Sequence, residues 1–231
     1  MLKIDIVSVQ PVMFGGFLGE SMVARAVRKG ACEINIVDLR SFAHDKRRTV
    51  DDRPYGGGPG MLMTCAPWFE AVETLTGAPA GAPRSGQRVI MTSPGGRRFT
   101  QRDAEALSQC EHIVFMCGHY EGFDERIKML ATDLYSIGDF VMTGGELAAA
   151  AMTDSVVRLL PGVLGGGPAA TSDESFSREG LLEAPQYTHP AEFRGMKVPQ
   201  VLLEGDHRRI EAWRKSEARR ITAEMRPDLL V

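Results

Sequence analysis

The 231-residue sequence has no excess of basic residues and few aromatic ones. Its 27 Lys and Arg are outnumbered by 30 Asp and Glu, so the net charge is −3, and aromatic residues make up only 7%. A chain with this balance has no general attraction for nucleic acid, and RNA binding would require a local basic patch. The sequence also contains no run of about 18 apolar residues, and its first residues lack the apolar core of a signal peptide. We therefore expect a soluble, cytoplasmic protein that does not bind membranes.

Several motifs that would define a cofactor or metal site are missing. The four cysteines form no C-x-x-C pair and have no zinc-like histidine spacing, which favours reduced core thiols over disulfides or zinc ligands. There is no Gly-Lys-Ser/Thr P-loop, no G-x-S-x-G nucleophile elbow and no H-E-x-x-H metal helix. The first predicted strand is followed by "QPVMFGGFLG", which lacks the G-x-G-x-x-G spacing of a Rossmann cofactor site. These absences argue against the commonest nucleotide, hydrolase and metal sites.

The sequence does contain a regular alternation of short β-branched runs with helical patterns. The strand-like runs cover residues 3–9, 33–39, 87–93, 112–118 and 134–137. Between them, apolar residues recur three and four positions apart, as on the buried face of a helix. This alternation predicts an α/β fold in which helices cover both faces of a parallel sheet.

Capping signals predict where some helices begin and end. The segment "TQRD" at Thr100 resembles a capping box, with Asp103 in place of the usual Glu. The Ala-rich segment that begins near Glu146 predicts a long helix, which Pro161 must stop.

A basic amphipathic helix is predicted near the end of the chain, in "GDHRRIEAWRKSEARRITAEM". Asp206 is its predicted cap, and seven Lys or Arg against four acids between Asp206 and Arg226 give it a local net charge of +3. Four apolar side chains are predicted to face inward, with Glu217 interrupting their stripe: Ile210, Trp213, Ile221 and Met225.

The glycine-rich segment "GVLGGGPAATSDES" predicts a domain boundary, because it cannot hold regular structure. We therefore expect a first domain over residues 1–161, a flexible linker over 162–176 and a small helical domain over 177–231.

Three glycine-bearing bends, each after a strand-like run, are the main candidates for a binding site. They are "SPGGRR", "CGHYEGFDER" and "SIGDFVMTGGE". In open α/β sheets, ligands bind outside the carboxyl ends of the strands, where exposed backbone N–H and C=O groups can hold a flat heterocycle by its edges. Each bend alone is better explained as a tight strand-to-helix turn, but this explanation is less persuasive for all three together.

The segment "DDRPYGGGPGM" is either a disordered linker or a loop whose backbone path only Gly and Pro allow. The apolar sequence "MLMTCAPWFEAV" begins at once with Met61, which favours an ordered loop.

Four long stretches of the sequence resemble the bacterial tRNA (guanine-N1-)-methyltransferases. They are "HDKRRTVDDRPYGGGPGMLM", "CGHYEGFDER", "SIGDFVMTGGELAAAAMTDSVVRLLPGVLG" and "EAPQYTHPAEFRGMKVPQVLLEGDHRRIEAWR". That family belongs to the SPOUT class, whose sheet carries a deep trefoil knot. The resemblance implies methyl transfer from S-adenosylmethionine to N1 of the guanosine immediately 3′ of the tRNA anticodon (position 37), by a homodimer whose active sites are shared between the chains.

The resemblance also implies that bent S-adenosylmethionine lies in the knot, with Mg²⁺ as a candidate second cofactor. The cofactor-binding residues that it implies are Thr92, Ser93, Pro94, Gly95, Gly118, Tyr120, Glu121, Ile137, Gly138, Asp139, Phe140, Val141, Met142, Gly144 and Gly145.

Guanine N1 carries a proton, so its methylation requires a general base and a positive partner for the O6 oxygen. By resemblance, Arg158 is the catalytic arginine, and the base is a carboxylate in "SDESF". Alignment through Ser-Phe indicates Glu174, whereas residue identity indicates Asp173, which we prefer. The sequence also differs from the family pattern at His119, where many relatives have Arg.

By the same resemblance, Asp51 contacts the target guanosine or its neighbour, and Arg53 holds phosphate or orders the loop. The basic segment "HDKRRT" and the C-terminal helix would supply the patch for tRNA. Two alternatives remain at this stage: a SPOUT enzyme that methylates ribose or rRNA, and a non-catalytic RNA-binding module.

Overall fold

The computed structural model describes residues 1–165, 171, 173–177 and 180–230. The chain divides into two compact units, Met1–Gly165 and Gly166–Val231. Within the described residues, no helix is both long and apolar enough to span a membrane.

The first unit is an α/β structure with a five-stranded parallel sheet. The strands of this unit, including two that lie outside the sheet, are β1 (Leu2–Ser8), β2 (Cys32–Asp38), β3 (Asp51–Asp52), β4 (Leu62–Met63), β5 (Gln87–Arg98), β6 (His112–Met116) and β7 (Asp133–Ser136). The sheet order is β2-β1-β6-β5-β7, and every neighbouring pair is parallel. The short strands β3 and β4 pair separately as an antiparallel hairpin. The predicted parallel sheet is therefore confirmed.

Helices cover both faces of this sheet, as predicted. They are α1 (Gly15–Gly19), α2 (Ser21–Arg28), α3 (Cys65–Thr76), α4 (Gln101–Ser108) and α5 (Glu146–Val157). On one face, side chains such as Ile4 and Phe115 pack with residues of α2, α4 and α5. On the other face, Val114 and Met116 pack with Trp68 of α3. Alternate residues of each strand thus supply two separate hydrophobic cores, which fix the sheet between the helix layers.

The capping predictions are confirmed at the atomic level. Thr100 and Asp103 form both hydrogen bonds of a capping box at the start of α4. Asp206 accepts hydrogen bonds from the backbone at the start of the C-terminal helix. These ends depend on local sequence alone, which is why they could be predicted.

The predicted end of the third strand at Ser93 is wrong. Strand β5 continues to Arg98, because Thr92 and Arg97 both lie opposite Tyr135 of β7 and the four residues between them bulge out. The predicted turn "SPGG" is therefore a bulge within a strand. A Cβ atom on Gly96 would lie 2.6 Å from the Tyr135 backbone, so only glycine allows the strand to rejoin β7 here.

The second unit contains the hairpin of β8 (Glu192–Phe193) and β9 (Met196–Lys197), followed by α6 (His207–Met225). Ile210, Trp213 and Ile221 are half-buried on one side of α6, as predicted. Met225 is 69% exposed, so its predicted inward position is wrong. The buried face ends at Thr222, whose hydroxyl accepts a hydrogen bond from the backbone N–H of Leu182.

Candidate functional site

The predicted glycine bends meet where the bulge within β5 lies beside the carboxyl ends of β6 and β7. The backbone N–H of Gly145, just before α5, donates a 2.8 Å hydrogen bond to the carbonyl oxygen of Gly118, just after β6. His119 and Gly144 form an antiparallel bridge beside it. The chain that leaves β7 therefore returns across the end of β6 before it enters α5.

Glycine is required at this junction because the backbones approach so closely. A Cβ atom on Gly145 would lie 1.9 Å from the Thr92 hydroxyl oxygen and 3.0 Å from the Gly118 nitrogen. A Cβ atom on Gly144 would lie 2.2 Å from Glu146 Oε2. Any larger side chain would push apart the three segments that surround the site.

The three bends enclose a cavity of about 350 Å³. Among the predicted cofactor residues, the ones that line it are Thr92, Ser93, Pro94, Gly118, Tyr120, Glu121, Ile137, Gly138, Phe140, Val141, Met142, Gly144 and Gly145. Within the described residues, Gly95 and Asp139 do not line the cavity. Gly95 donates its backbone N–H to Ser93 Oγ, and the exposed Asp139 pairs with Arg98 over 2.8 Å.

Other lining residues were missed by sequence reasoning. They are Met91, Gly122, Phe123, Glu125, Lys128, Tyr135, Ser136, Thr143 and Ala148. Glu125 and Lys128 lie in a 3-10 turn and form a 2.7 Å ion pair at the cavity. Only their position just after the segment "CGHYEGFD" could have indicated them in the sequence. A turn has no regular hydrophobic period from which inward-facing side chains could be predicted.

A polar network supports the β5 bulge from behind. The Arg97 guanidinium donates to both carboxylate oxygens of Asp103 and to the hydroxyl of Tyr135. Burial would raise the pKa of Asp103, but hydrogen bonds from Arg97 and Thr100 outweigh it and hold the pKa below its usual value. Burial and the negative charge of Asp103 raise the pKa of Tyr135 to about 12, so its hydroxyl stays protonated. The network therefore ties β5, α4 and β7 together where β5 resumes.

The glycine-rich loop lies against the bend after β6. The backbone N–H of Glu121 donates to the carbonyl oxygen of Met61 over 3.0 Å, and that of Met63 donates to Gly122 over 2.9 Å. Gly60 has φ of 78°, and a Cβ atom there would lie 2.2 Å from the Glu121 side chain. The loop is thus an ordered neighbour of the cavity, because only glycine allows its backbone to pass so close.

The two predicted tRNA contacts in this loop lie near the hairpin. Asp51 is half-buried in β3, opposite Met63 of β4, and Arg53 is exposed just beyond it. The tip of the loop carries Tyr55, whose side chain is fully exposed.

Arg158 lies at the far end of α5 from the cavity. It directly follows the last helical residue, Val157, whereas Gly145 precedes the first, Glu146. Because α5 has 12 residues with a rise of about 1.5 Å each, the backbones at its two ends are about 18 Å apart. An arginine side chain cannot span that distance to the Gly145 end of the same helix.

The candidate bases Asp173 and Glu174 belong to the second unit. Asp173 is exposed, whereas Glu174 is half-buried. The carbonyl oxygen of Glu174 accepts hydrogen bonds from the backbone N–H and the hydroxyl of Ser177. The backbone N–H of Phe176 donates a 2.8 Å hydrogen bond to the carbonyl oxygen of Leu181.

Across the part of the chain that the structure describes, no three His, Cys, Asp or Glu side chains are grouped to hold a metal ion. These residues by themselves do not form a site for the Mg²⁺ that the resemblance implies.

Comparison with known proteins places these features in a family. The model of the family described as tRNA (Guanine-1)-methyltransferase TrmD matches residues 2–231. The chain belongs to this family. It is 55% identical to the tRNA (guanine-N(1)-)-methyltransferase of Geobacillus kaustophilus over 230 residues, which are 99% of this chain and 91% of that protein. It is 53% identical to the enzymes of the same name from Bacillus cereus and Bacillus anthracis, over 99% of this chain and 92% of theirs.

Proposed function

We propose that the protein methylates N1 of the guanosine immediately 3′ of the anticodon, position 37, in tRNA. Membership of the tRNA (guanine-1)-methyltransferase family supports the reaction class. The observation that carries the proposal further is the cavity between the β5 bulge and the carboxyl ends of β6 and β7, since ligands bind at the carboxyl ends of strands in open α/β sheets.

S-adenosylmethionine is the proposed methyl donor, and the cavity fits it. The volume of about 350 Å³ is in the range of small-molecule sites, and three bends present backbone groups to its interior. Close approaches at Gly144 and Gly145 make this wall smooth enough for a flat adenine ring. Bound there, S-adenosylmethionine would supply an electrophilic methyl group.

The other catalytic groups in the proposal act on the guanine. The carboxylate of Asp173 takes the proton from N1, which frees the lone pair that attacks the methyl group. The Arg158 guanidinium stabilises the negative charge that grows on O6 as that proton leaves. The exposure of Asp173 supports its choice over the half-buried Glu174, because the base must reach a substrate that arrives from solvent.

Each active site in the proposal combines parts of two chains in a homodimer. The position of Arg158 at the end of α5 opposite the cavity supports this, since one chain cannot bring the two together. Phe140 and Val141 at the cavity and Leu147 on α5 are more than half exposed, as is Val12 in a turn that packs on α5. An apolar surface of this kind is typical of a subunit interface.

The proposal includes the trefoil knot of the SPOUT class. Its support is the path of the chain after β7, which returns over β6 at Gly145 and passes within contact distance of Thr92 in β5.

Binding of tRNA in the proposal uses local basic segments, because the chain as a whole is acidic. Lys46 and Arg47 are exposed on the loop that precedes β3, and Arg208 and Arg214 are exposed on α6. Phosphate contacts there, with Asp51 and Arg53 near the target guanosine, offset the few kcal/mol needed to bring a base out of its stack.

The test is incubation of the protein with labelled S-adenosylmethionine and two tRNA transcripts, one with guanosine at position 37 and one with adenosine. Label should enter only the first transcript and should be recovered as N1-methylguanosine after digestion. Label in a ribose would instead identify a ribose methyltransferase. Binding of tRNA with no transfer at all would identify a non-catalytic RNA-binding module.

A further inference from the structure

A buried acid lies directly behind the wall of the cavity, where the proposed reaction assigns it no task. Glu146 is the first residue of α5 and is only 2% exposed. One of its carboxylate oxygens, Oε1, accepts a 2.7 Å hydrogen bond from the Ser8 hydroxyl at the end of β1. Burial of a carboxylate is costly unless a positive group compensates it.

A histidine ring lies close to this acid but does not hydrogen-bond to it. His119 Nδ1 lies 3.8 Å from Glu146 Oε1, beyond hydrogen-bond distance. Within the described residues, this buried nitrogen has no hydrogen-bond partner. Burial, and then the negative charge of Glu146, raise the pKa of the neighbouring Cys117 thiol, which therefore stays neutral. The Ser8 hydroxyl and the start of α5 stabilise the Glu146 carboxylate from the other side.

The acid is close to the cavity although it does not line it. A Cβ atom on Gly144, which lines the cavity, would lie 2.2 Å from Glu146 Oε2 and 2.7 Å from His119 Nδ1. The carboxylate therefore lies next to a residue that lines the cavity. The low exposure of Glu146 means that water screens its field weakly.

We infer that Glu146 makes the cavity select a sulfonium cofactor over the corresponding thioether. This inference rests on the proposed function and deepens it. S-adenosylmethionine carries a positive charge on sulfur, and the product S-adenosylhomocysteine, which has lost the methyl group, does not. A fixed negative charge behind the wall attracts the first ligand but not the second, and so favours loading of the donor and release of the product.

The size of the effect follows from electrostatics. A unit charge within about 10 Å, at the effective dielectric constant of about 20 found in proteins, changes affinity by roughly tenfold. Glu146 is thus a specificity-determining residue that acts through its field and touches neither ligand.

Calorimetric titration of the full-length protein with each ligand tests the inference without catalysis. Glu146→Gln keeps an oxygen that accepts the Ser8 hydrogen bond but removes the charge. We expect it to weaken S-adenosylmethionine binding roughly tenfold and to leave S-adenosylhomocysteine binding almost unchanged. Glu105→Gln, an exposed acid on α4, is the matched control and should alter neither dissociation constant.

A second variant protects the test against misfolding of the first. His119→Arg leaves Glu146 in place but neutralises its charge with a permanent cation. It should therefore lower the affinity for S-adenosylmethionine relative to that for S-adenosylhomocysteine. An unchanged ratio in both variants would overturn the inference while leaving the proposed function standing. Failure of the wild-type protein to bind either ligand would overturn both.

Discussion

The backbone N–H of Gly145 donates a 2.8 Å hydrogen bond to the carbonyl oxygen of Gly118, which joins the start of α5 to the end of β6. Thr92 of β5 lies so near that a Cβ atom on Gly145 would come within 1.9 Å of its hydroxyl oxygen. One residue thus holds together three of the segments that enclose the cavity. The shape of the cavity depends on the absence of a side chain at that point.

Gly145→Val should therefore weaken cofactor binding. The added methyl groups must displace Thr92 or the Gly118 backbone, and overpacking of this kind costs about 1–3 kcal/mol of folding stability. We expect the affinity for S-adenosylmethionine to fall at least about tenfold in calorimetry.

Gly16→Ala is the control for this variant, since a Cβ atom at Gly16 in α1 meets no atom within 4 Å. It should bind normally and fold at least as stably as the wild type. Unchanged binding by Gly145→Val would refute the placement of the cofactor.

Asp173→Ala should remove turnover while leaving cofactor affinity nearly intact. Loss of a general base lowers rates by about 10²–10⁴-fold, so single-turnover methylation of tRNA is the measurement. Glu174→Gln is the paired variant and should retain most of the activity. The reverse pattern would make Glu174 the base.

Arg158→Ala should lower kcat by about 10²–10³-fold with little change in the dissociation constant of S-adenosylmethionine. We expect kcat to change without the dissociation constant because Arg158 lies at the far end of α5. A large loss of cofactor affinity would show that Arg158 supports the cavity of its own chain.

The sequence predicted well those features that depend on local chemistry. The five strands, the capping box at Thr100 and the start of α5 at Glu146 follow from β-branched runs, caps and breakers. Most of the predicted cavity residues also line one cavity, but their selection came from family resemblance rather than from periodicity.

The features that the sequence did not reveal depend on contacts between distant segments. The strand β5 resumes at Arg97 only because Tyr135, in a later strand, lies opposite it. The approach of Glu146 to His119 also depends on a distant contact. It results from the bridge between His119 and Gly144, which are 25 positions apart in the sequence. No local pattern distinguishes a buried acid at a helix start from an exposed one.

A buried cluster on the sheet predicts how stability changes with pH. Asp5 is 1% exposed and lies 2.7 Å from His112 Nε2 and 3.0 Å from both Lys3 Nζ and Asn35 Nδ2. Burial would raise the pKa of Asp5, but these hydrogen bonds outweigh it and hold the pKa below its usual value. A lowered folded-state pKa means that the unfolded chain takes up the proton first as the pH falls.

The stabilisation by Asp5 should therefore be complete above its unfolded pKa, near 3.8, and disappear as the pH falls through the lower folded value. Asp5→Asn should lower the free energy of unfolding by about 1–3 kcal/mol at neutral pH and flatten its decline in acid. Denaturant unfolding between pH 2 and 7, at about one-unit steps, measures both effects.

Glu70→Gln provides the matched control, because Glu70 pairs with His44 at the surface, where both side chains are largely exposed. It should cost less than about 1 kcal/mol at any pH. If Asp5→Asn and Glu70→Gln lowered the free energy of unfolding equally, the role given to the Asp5 cluster would be contradicted.

The most direct test of the shared active site mixes two inactive proteins, Arg158→Ala and Gly145→Val. In a mixed dimer, the intact cavity of the first chain meets the intact Arg158 of the second, so one of the two sites is complete. After subunit exchange we expect roughly a quarter of wild-type methylation of tRNA, from half the dimers with one working site each. Mixtures that stay inactive, although mass spectrometry shows that mixed dimers have formed, would contradict a site built from two chains.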